Sequence, residues 1–185
     1  GYVAIAAGHE HSLALHEDGS IVTWGSNHDN QRSDCPTDAG HRAIAAGAFH
    51  SVAIRRDGSI VTWGSNESNE CANVPTDTGY VAVACGESHS VALHDDGRVV
   101  TWGGTDMNQR LDAPTDAGYV AIACGDRHSV GLKSDGTVVT WGDNDDSQHA
   151  DAPEDAGYVA IACGMDHSAA QRSDGSVVTW GSNTD

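Results

Sequence analysis

Positive charge is what this sequence has least of. It carries one lysine, Lys133, and only 9 Lys and Arg in all, against 27 Asp and Glu, for a formal net charge of −18. A chain this acidic offers no basic groove and repels phosphate backbones, which excludes DNA and RNA as partners. Long apolar runs are also missing. The mean hydropathy is −0.39, and no stretch approaches the roughly 20 apolar residues of a membrane helix. No basic or apolar leader segment is recognisable in the sequence given. There is no phosphate-binding glycine loop, no calcium loop of the D-x-D-x-D-G type and no nucleophile–base motif; the acidic run at Asp143, Asp145 and Asp146 reads as a solvated loop. No segment shows an apolar period of three to four, so helices are not expected. The abundance of Asp with almost no Lys suits a protein dissolved in high salt and points to a halophilic source, although an ordinary acidic soluble protein has the same balance.

What is present is a repeat. DGSIVTWG at Asp18–Gly25 returns at Asp57–Gly64, then as DGRVVTWG at Asp96–Gly103, DGTVVTWG at Asp135–Gly142 and DGSVVTWG at Asp174–Gly181. The tryptophans Trp24, Trp63, Trp102, Trp141 and Trp180 are each 39 residues apart (63−24, 102−63, 141−102, 180−141). A fixed period of this size marks a solenoid or propeller architecture. The repeats run 1–39, 40–78, 79–117, 118–156 and 157–185, in a single domain spanning 1–185. In each, an apolar run (YVAIAA, Tyr2–Ala7) predicts a strand buried on both faces. An alternating run (HSLALH, His11–His16) predicts a second strand, Asp18-Gly19 a tight turn, and Ser20–Trp24 a third strand rich in β-branched residues. A polar connection with a proline follows.

Three short strands cannot bury both faces of their sheet. Radial stacking of copies can, and this predicts an all-β fold, a β-propeller of five blades, each a three-stranded antiparallel sheet. A linear solenoid would need polar caps, yet GYVAIACG at 157–164 nearly repeats the start of the chain. Uncapped ends favour closure, either within the chain or by association of chains into a larger ring.

The pattern A-G-x-x-H-S-x-A-L, D-G, V-x-x-W-G-x-N-x-x-x-Q resembles the regulator-of-chromosome-condensation repeat family. Its carriers in the first repeat are Gly8, His11, Ser12, Ala14, Leu15, Asp18, Gly19, Trp24, Gly25, Asn27 and Gln31. The resemblance implies a β-propeller, usually seven-bladed. The short period is similar to the bacterial/archaeal branch, whose propeller-type β-lactamase inhibitory protein binds its target through loops on one face. Nucleotide exchange on a small GTPase, known for the founding member, does not carry over, because its interaction residues have no counterpart that can be mapped here.

His11, His50, His89, His128 and His167 recur at one position. A metal ring is conceivable from such spacing, but a structural role, with ring nitrogens bonding backbone groups at a turn, explains it better, so no metal or cofactor is expected. The five tryptophans could be sugar-stacking platforms; burial between blades is the stronger reading. Cys85, Cys124 and Cys163 share a repeat position with Ala7 and Ala46, as small core side chains do; a bridge between Cys35 and Cys71 stays open, with nothing in favour of it. His16, Arg55, His94, Lys133 and Arg172 each precede a turn aspartate by two, which suggests local ion pairs.

Against near-identical strands, two zones differ in every copy. One is the pair His9-Glu10, Ala48-Phe49, Glu87-Ser88, Asp126-Arg127 and Met165-Asp166; the other is the connection, at His28–Cys35, Glu67–Val74, Thr105–Ala113 and Asp143–Ala152. Loops on a rigid scaffold carry recognition. The expectation is therefore a non-catalytic protein-binding scaffold with these pairs as contact residues and Phe49 and Met165 as apolar anchors. The alternative is a lectin-like propeller with one carbohydrate site per blade, which would require site residues that repeat. An enzyme ranks third.

Overall fold

The computed structural model describes residues 1–104, 112–145, 148 and 151–182. Within these, all regular structure is β. The strands β1 (Tyr2–Ala7), β2 (His11–His16) and β3 (Ile21–Gly25) form blade 1, and β4 (His41–Ala46), β5 (His50–Arg55) and β6 (Ile60–Gly64) form blade 2. Blade 3 comprises β7 (Tyr80–Cys85), β8 (His89–His94) and β9 (Val99–Gly103); blade 4, β10 (Tyr119–Cys124), β11 (His128–Lys133) and β12 (Val138–Gly142); blade 5, β13 (Tyr158–Cys163), β14 (His167–Arg172) and β15 (Val177–Gly181). Every sheet is an antiparallel meander.

The turn between the second and third strands shows why the D-G-[ST] sequence recurs. Gly19 has φ 89°, a conformation open to glycine at little cost. The Asp18 carboxylate accepts hydrogen bonds from the Ser20 N–H (2.8 Å) and hydroxyl (2.7 Å), which hold its pKa down at about 2. The same arrangement returns at Asp57–Ser59, Asp135–Thr137 and Asp174–Ser176. The cations that precede these aspartates make a different set of contacts from the local pairs expected. The Arg55, Lys133 and Arg172 side chains reach back to Asp38, Asp116 and Asp155, which close the preceding connection. Only His16 and His94 pair with their own turn aspartates, at 3.2 and 2.9 Å.

The first strand of each blade is less buried than expected. A register shift at its second residue forms a bulge, which leaves Val81, Val120 and Val159 exposed.

Blades stack through one interface used four times. Each blade has a trailing face toward the next blade and a leading face toward the previous one. Between blades 2 and 3, Val52, Ile54 and Ile60 pack on Tyr80, Ala92 and Trp102. Equivalent clusters join the remaining neighbours. Two polar ladders run through these apolar seams. The signature histidine bonds the serine hydroxyl of the next blade: His11–Ser51, His50–Ser90 and His89–Ser129 at 2.8 Å, His128–Ser168 at 2.7 Å. Sequence reasoning expected backbone partners for these rings; the partner at Nε2 is the hydroxyl of the next blade, and the Asp126 backbone also bonds the His89 ring. The tryptophan indole N–H donates to a carbonyl in the connection of the previous blade: Trp63 to Gln31, Trp102 to Glu70, Trp180 to Gln148, at 2.9–3.0 Å.

The stack is an open arc. Among the described residues, blade 5 makes no interface of this kind with blade 1. Trp24 is 49 % exposed, whereas the other four tryptophans are at most 4 % exposed. Tyr2 is 62 % exposed, against 3 % or less for Tyr80, Tyr119 and Tyr158.

Candidate functional site: the axial rim

The first and second strands of each blade are joined by a glycine and the variable pair. Gly86 illustrates why that glycine is invariant across the repeats. A Cβ there would sit 2.3 Å from the His89 ring and 2.6 Å from the Gly125 carbonyl of the next blade. The histidine that locks onto the next blade thus packs directly on this backbone.

The backbone of the variable pair is fixed whatever its side chains are. The carbonyl of the second residue accepts the N–H that follows the W-G dipeptide: Glu10 from Ser26, Phe49 from Ser65, Ser88 from Gly104, Arg127 from Asp143 and Asp166 from Ser182, at 2.7–3.0 Å. The glycine of W-G is needed for this approach; at Gly25, φ is 101° and a Cβ would lie 2.3 Å from the Glu10 carbonyl. Further bonds run between blades, from the Glu87 N–H to the Asp126 carbonyl (2.8 Å) and from the Asp126 N–H to the Met165 carbonyl (2.9 Å).

This geometry gathers the pairs into a rim around the axis at one end of the arc. His9 Nε2 lies 3.8 Å from Asp126 Oδ1, which links blade 1 to blade 4 across the opening. The His9 ring meets Phe49 edge-on at 5.9 Å, and Arg127 Nε lies 3.3 Å from Glu87 Oε2. Burial raises the Asp126 pKa. Glu10, Arg127 and Met165 are exposed, whereas Phe49, Glu87, Ser88 and Asp166 are half-buried. Ala48 differs, since its side chain is 2 % exposed and turned inward, so blade 2 presents Phe49 alone.

Under the rim lies a cavity of about 220 Å³ whose lining includes Ala7, Gly47, Cys85, Cys124 and Cys163. All five cysteines are free thiols. Burial pushes Cys85 up to about 12 and Cys163 to about 11 and raises Cys124 well above the usual thiol range, so these are protonated core thiols rather than nucleophiles. Among the described residues no cluster of His, Cys, Asp or Glu is placed to hold a metal ion.

The second variable zone starts at the same end of the arc, but half of it is anchorage. Asn27 Oδ1 accepts the Arg32 and Ser33 N–H groups (2.8 and 2.9 Å), and Gln31 is buried with its carbonyl on Trp63. Sequence reasoning placed Gln31 in the repeat pattern but missed the anchoring role that it shares with Glu70 and Gln148; the signal was their constant spacing of 32 from the tryptophan of the next repeat. Of the other two connections, residues 105–111, 146, 147, 149 and 150 lie outside the described residues.

A stack of blades on a repeated interface, with non-equivalent side chains on one axial rim, defines the class: a repeat-built β-propeller. The chain belongs to the regulator of chromosome condensation (RCC1) repeat family, whose repeat model matches residues 2–31, 42–70, 80–109, 119–148 and 158–185. Among solved structures, it is similar to the CRINKLY WD40 ectodomain of the Arabidopsis thaliana receptor kinase ACR4. That match has 23 % identity and a TM-score of 0.82, and covers 97 % of this chain and 65 % of that one. It is also similar to the ectodomain of the Physcomitrella patens receptor kinase CR4, with 19 % identity, a TM-score of 0.81 and coverage of 100 % and 51 %. A third is Prp20p of Saccharomyces cerevisiae, with 22 % identity, a TM-score of 0.77 and coverage of 97 % and 57 %; its structure is described together with its binding to Gsp1p and histones. At these identities the likeness is one of fold. The chain spans roughly half to two thirds of each of these structures. No curated protein matches it.

Proposed function

We propose that the chain is a non-catalytic protein-binding scaffold whose contact surface is the axial rim. The observation that carries this reading is the separation of backbone from side chain at the variable pairs. In five equivalent pairs the carbonyl of the second residue accepts the same backbone hydrogen bond, while the side chains of the pairs differ in charge, size and polarity from blade to blade. Such a surface matches an asymmetric partner and is already ordered before binding, which reduces the entropy lost on association. Phe49 and Met165, the latter 60 % exposed, supply apolar anchors in a field of His9, Glu10, Glu87, Asp126, Arg127 and Asp166. Protein binding by a structural neighbour such as Prp20p is in keeping with this. A partner with a basic face suits the net charge of −18. The lectin alternative has less support, because four of the five tryptophans that could stack on sugars are buried between blades.

The test compares the immobilised chain with a rim variant, Phe49→Ala/Arg127→Glu/Met165→Ala, and with a control altered at the opposite end, Glu17→Gln/Asp95→Asn. Quantitative mass spectrometry of proteins retained from the source lysate should show a partner lost with the rim variant and kept with the control. If no retained protein distinguishes rim from control, or a glycan array shows saturable binding, the reading is wrong.

A further inference from the structure

Beneath the rim, the glycine that precedes each variable pair leaves its carbonyl unused. Gly47, Gly86, Gly125 and Gly164 line the axial cavity. Each amide N–H donates to the carbonyl of the signature histidine of its own blade, at 2.8–3.0 Å. The glycine carbonyls themselves accept no hydrogen bond from any described residue. Each lies against the glycine one blade back, where a Cβ would come within 2.2–2.6 Å of the oxygen. Gly47, Gly86 and Gly125 are buried, and a buried carbonyl without a donor is uncommon enough to call for a partner.

Asp126 adds a carboxylate to the same wall. No described donor bonds it, and His9 Nε2, at 3.8 Å, is beyond hydrogen-bonding reach. Arg127 is turned instead to Glu87, at 3.3 Å. Burial is the main cause that raises the Asp126 carboxyl above its ordinary range, and the neighbouring Glu87 and Asp166 carboxylates add to it. The cavity wall thus gathers four free carbonyls and one unbonded carboxylate, all from blades 2 to 5. An occupant that satisfies them is cationic and rich in donors. An ammonium group brings three donors, one charge and an apolar stem. A guanidinium brings five donors in a plane, and some of these would face the Ala46 methyl and the protonated thiols, which accept weakly. The space suffices: a cavity of about 150 Å³ takes up a benzene ring, and this one measures about 220 Å³. Of the five residues that begin the variable pairs, Ala48 is the smallest, and it lines the cavity beside His9 and Asp126.

We propose that the axial cavity receives the ammonium group of a lysine side chain from the bound protein, held by the Gly86 and Gly125 carbonyls and the Asp126 carboxylate. This rests on the rim being the protein-binding surface and names what the partner presents there: a lysine at the tip of a loop. Charge complementarity selects it, since Glu10, Glu87 and Asp166 share the rim with Asp126 and the chain carries −18. The lysine stem would leave past Phe49 and bury part of its apolar surface there.

The test uses n-butylammonium, which is the lysine side chain without its main chain. It is titrated into the ¹⁵N-labelled chain near neutral pH, at constant sodium chloride, and followed by amide chemical shifts. The Gly86, Gly125 and Asp126 signals should move saturably, with a dissociation constant in the millimolar range. Tetramethylammonium, equal in charge but without N–H donors, should bind at least about tenfold more weakly. Asp126→Asn should weaken n-butylammonium by at least about tenfold. Ala48→Met should abolish its binding; blade 5 carries Met165 at the equivalent position, and unchanged signals away from the axis would show that the variant is folded. Four results overturn the proposal: no saturable shift at the axis, equal binding of tetramethylammonium, binding indifferent to both substitutions, or displacement by an equal concentration of potassium, which would mark a site for a free cation. A partner still captured by the rim alongside any of these would leave the rim as the binding surface and refute the lysine alone.

Discussion

Acidification should destabilise this protein through its interblade histidines. Burial is the main cause of depression of the ring pKa at His50, to about 4, and at His89, to about 3, with repulsion between neighbouring rings of the ladder adding to it. His11 is shifted in the same direction by burial. In the unfolded chain these rings titrate at 6.5. Above that value both states are neutral and the histidines add no pH dependence. Below it the unfolded state takes up protons that the folded state refuses, so stability falls as pH falls, down to the folded-state pKa values. At pH 5 the difference amounts to about 2 kcal/mol for each of His50 and His89, or about 4 kcal/mol for the pair. With a urea dependence of roughly 2 kcal/mol per molar, the unfolding midpoint should drop by about 2 M between pH 7.5 and 5. The turn carboxylates are not responsible in this window, because Asp18 is held at about 2 and Asp57, Asp135 and Asp174 are also shifted down. Relief of self-repulsion acts with the opposite sign, since the chain carries −18 and acidification lowers that charge. The assay is urea unfolding followed by tryptophan fluorescence at fixed ionic strength, for the natural chain and for His89→Gln. A midpoint that is flat or rises on acidification, or a slope unchanged in His89→Gln, would refute the reasoning.

Other expectations follow from the same interfaces. Trp102→Ala empties the seam between blades 2 and 3 and should destabilise by about 3–5 kcal/mol in urea unfolding, whereas Trp24→Ala should change stability by less than about 1 kcal/mol. Ser90→Ala strips the partner from buried His50 Nε2 and should lower stability by about 1–3 kcal/mol, with Ser12→Ala near neutral under the same assay. Concentrated KCl screens the −18 charge and should raise the thermal midpoint, a trend readable by calorimetry across a salt series. In the folded state Cys85 and Cys124 should react with a thiol reagent far more slowly than after denaturation, since burial keeps both protonated.

Much of the fold was legible in the sequence because the repeat amplifies weak signals. One Asp-Gly or one VVTWG predicts little; five in register define hairpin, strand and stacking unit. The strand boundaries of β1 and β2 follow from the Gly8 and Asp18-Gly19 punctuation. The partners of buried polar groups were not legible, because they lie in the next blade, about 40 residues away: His11 finds Ser51, and Trp63 finds the Gln31 carbonyl. Periodicity shows that a residue recurs, not what it touches. The bulge that exposes Val81 is a backbone event with no side-chain signature. At the rim, the variable pairs could be picked out by comparing repeats, but the burial of Ala48 and the convergence of His9 on Asp126 depend on how five blades curve about an axis.

The central claim is an arc whose leading end is open, and oxidative footprinting of the five tryptophans tests it most directly. The chain is held dilute enough to be monomeric by sedimentation, exposed briefly to hydroxyl radicals and digested for mass spectrometry. The open arc predicts rapid modification of Trp24 and protection of Trp63, Trp102, Trp141 and Trp180. Protection of Trp24 equal to that of the other four would show that blade 5 covers blade 1 within the monomer and would contradict the account.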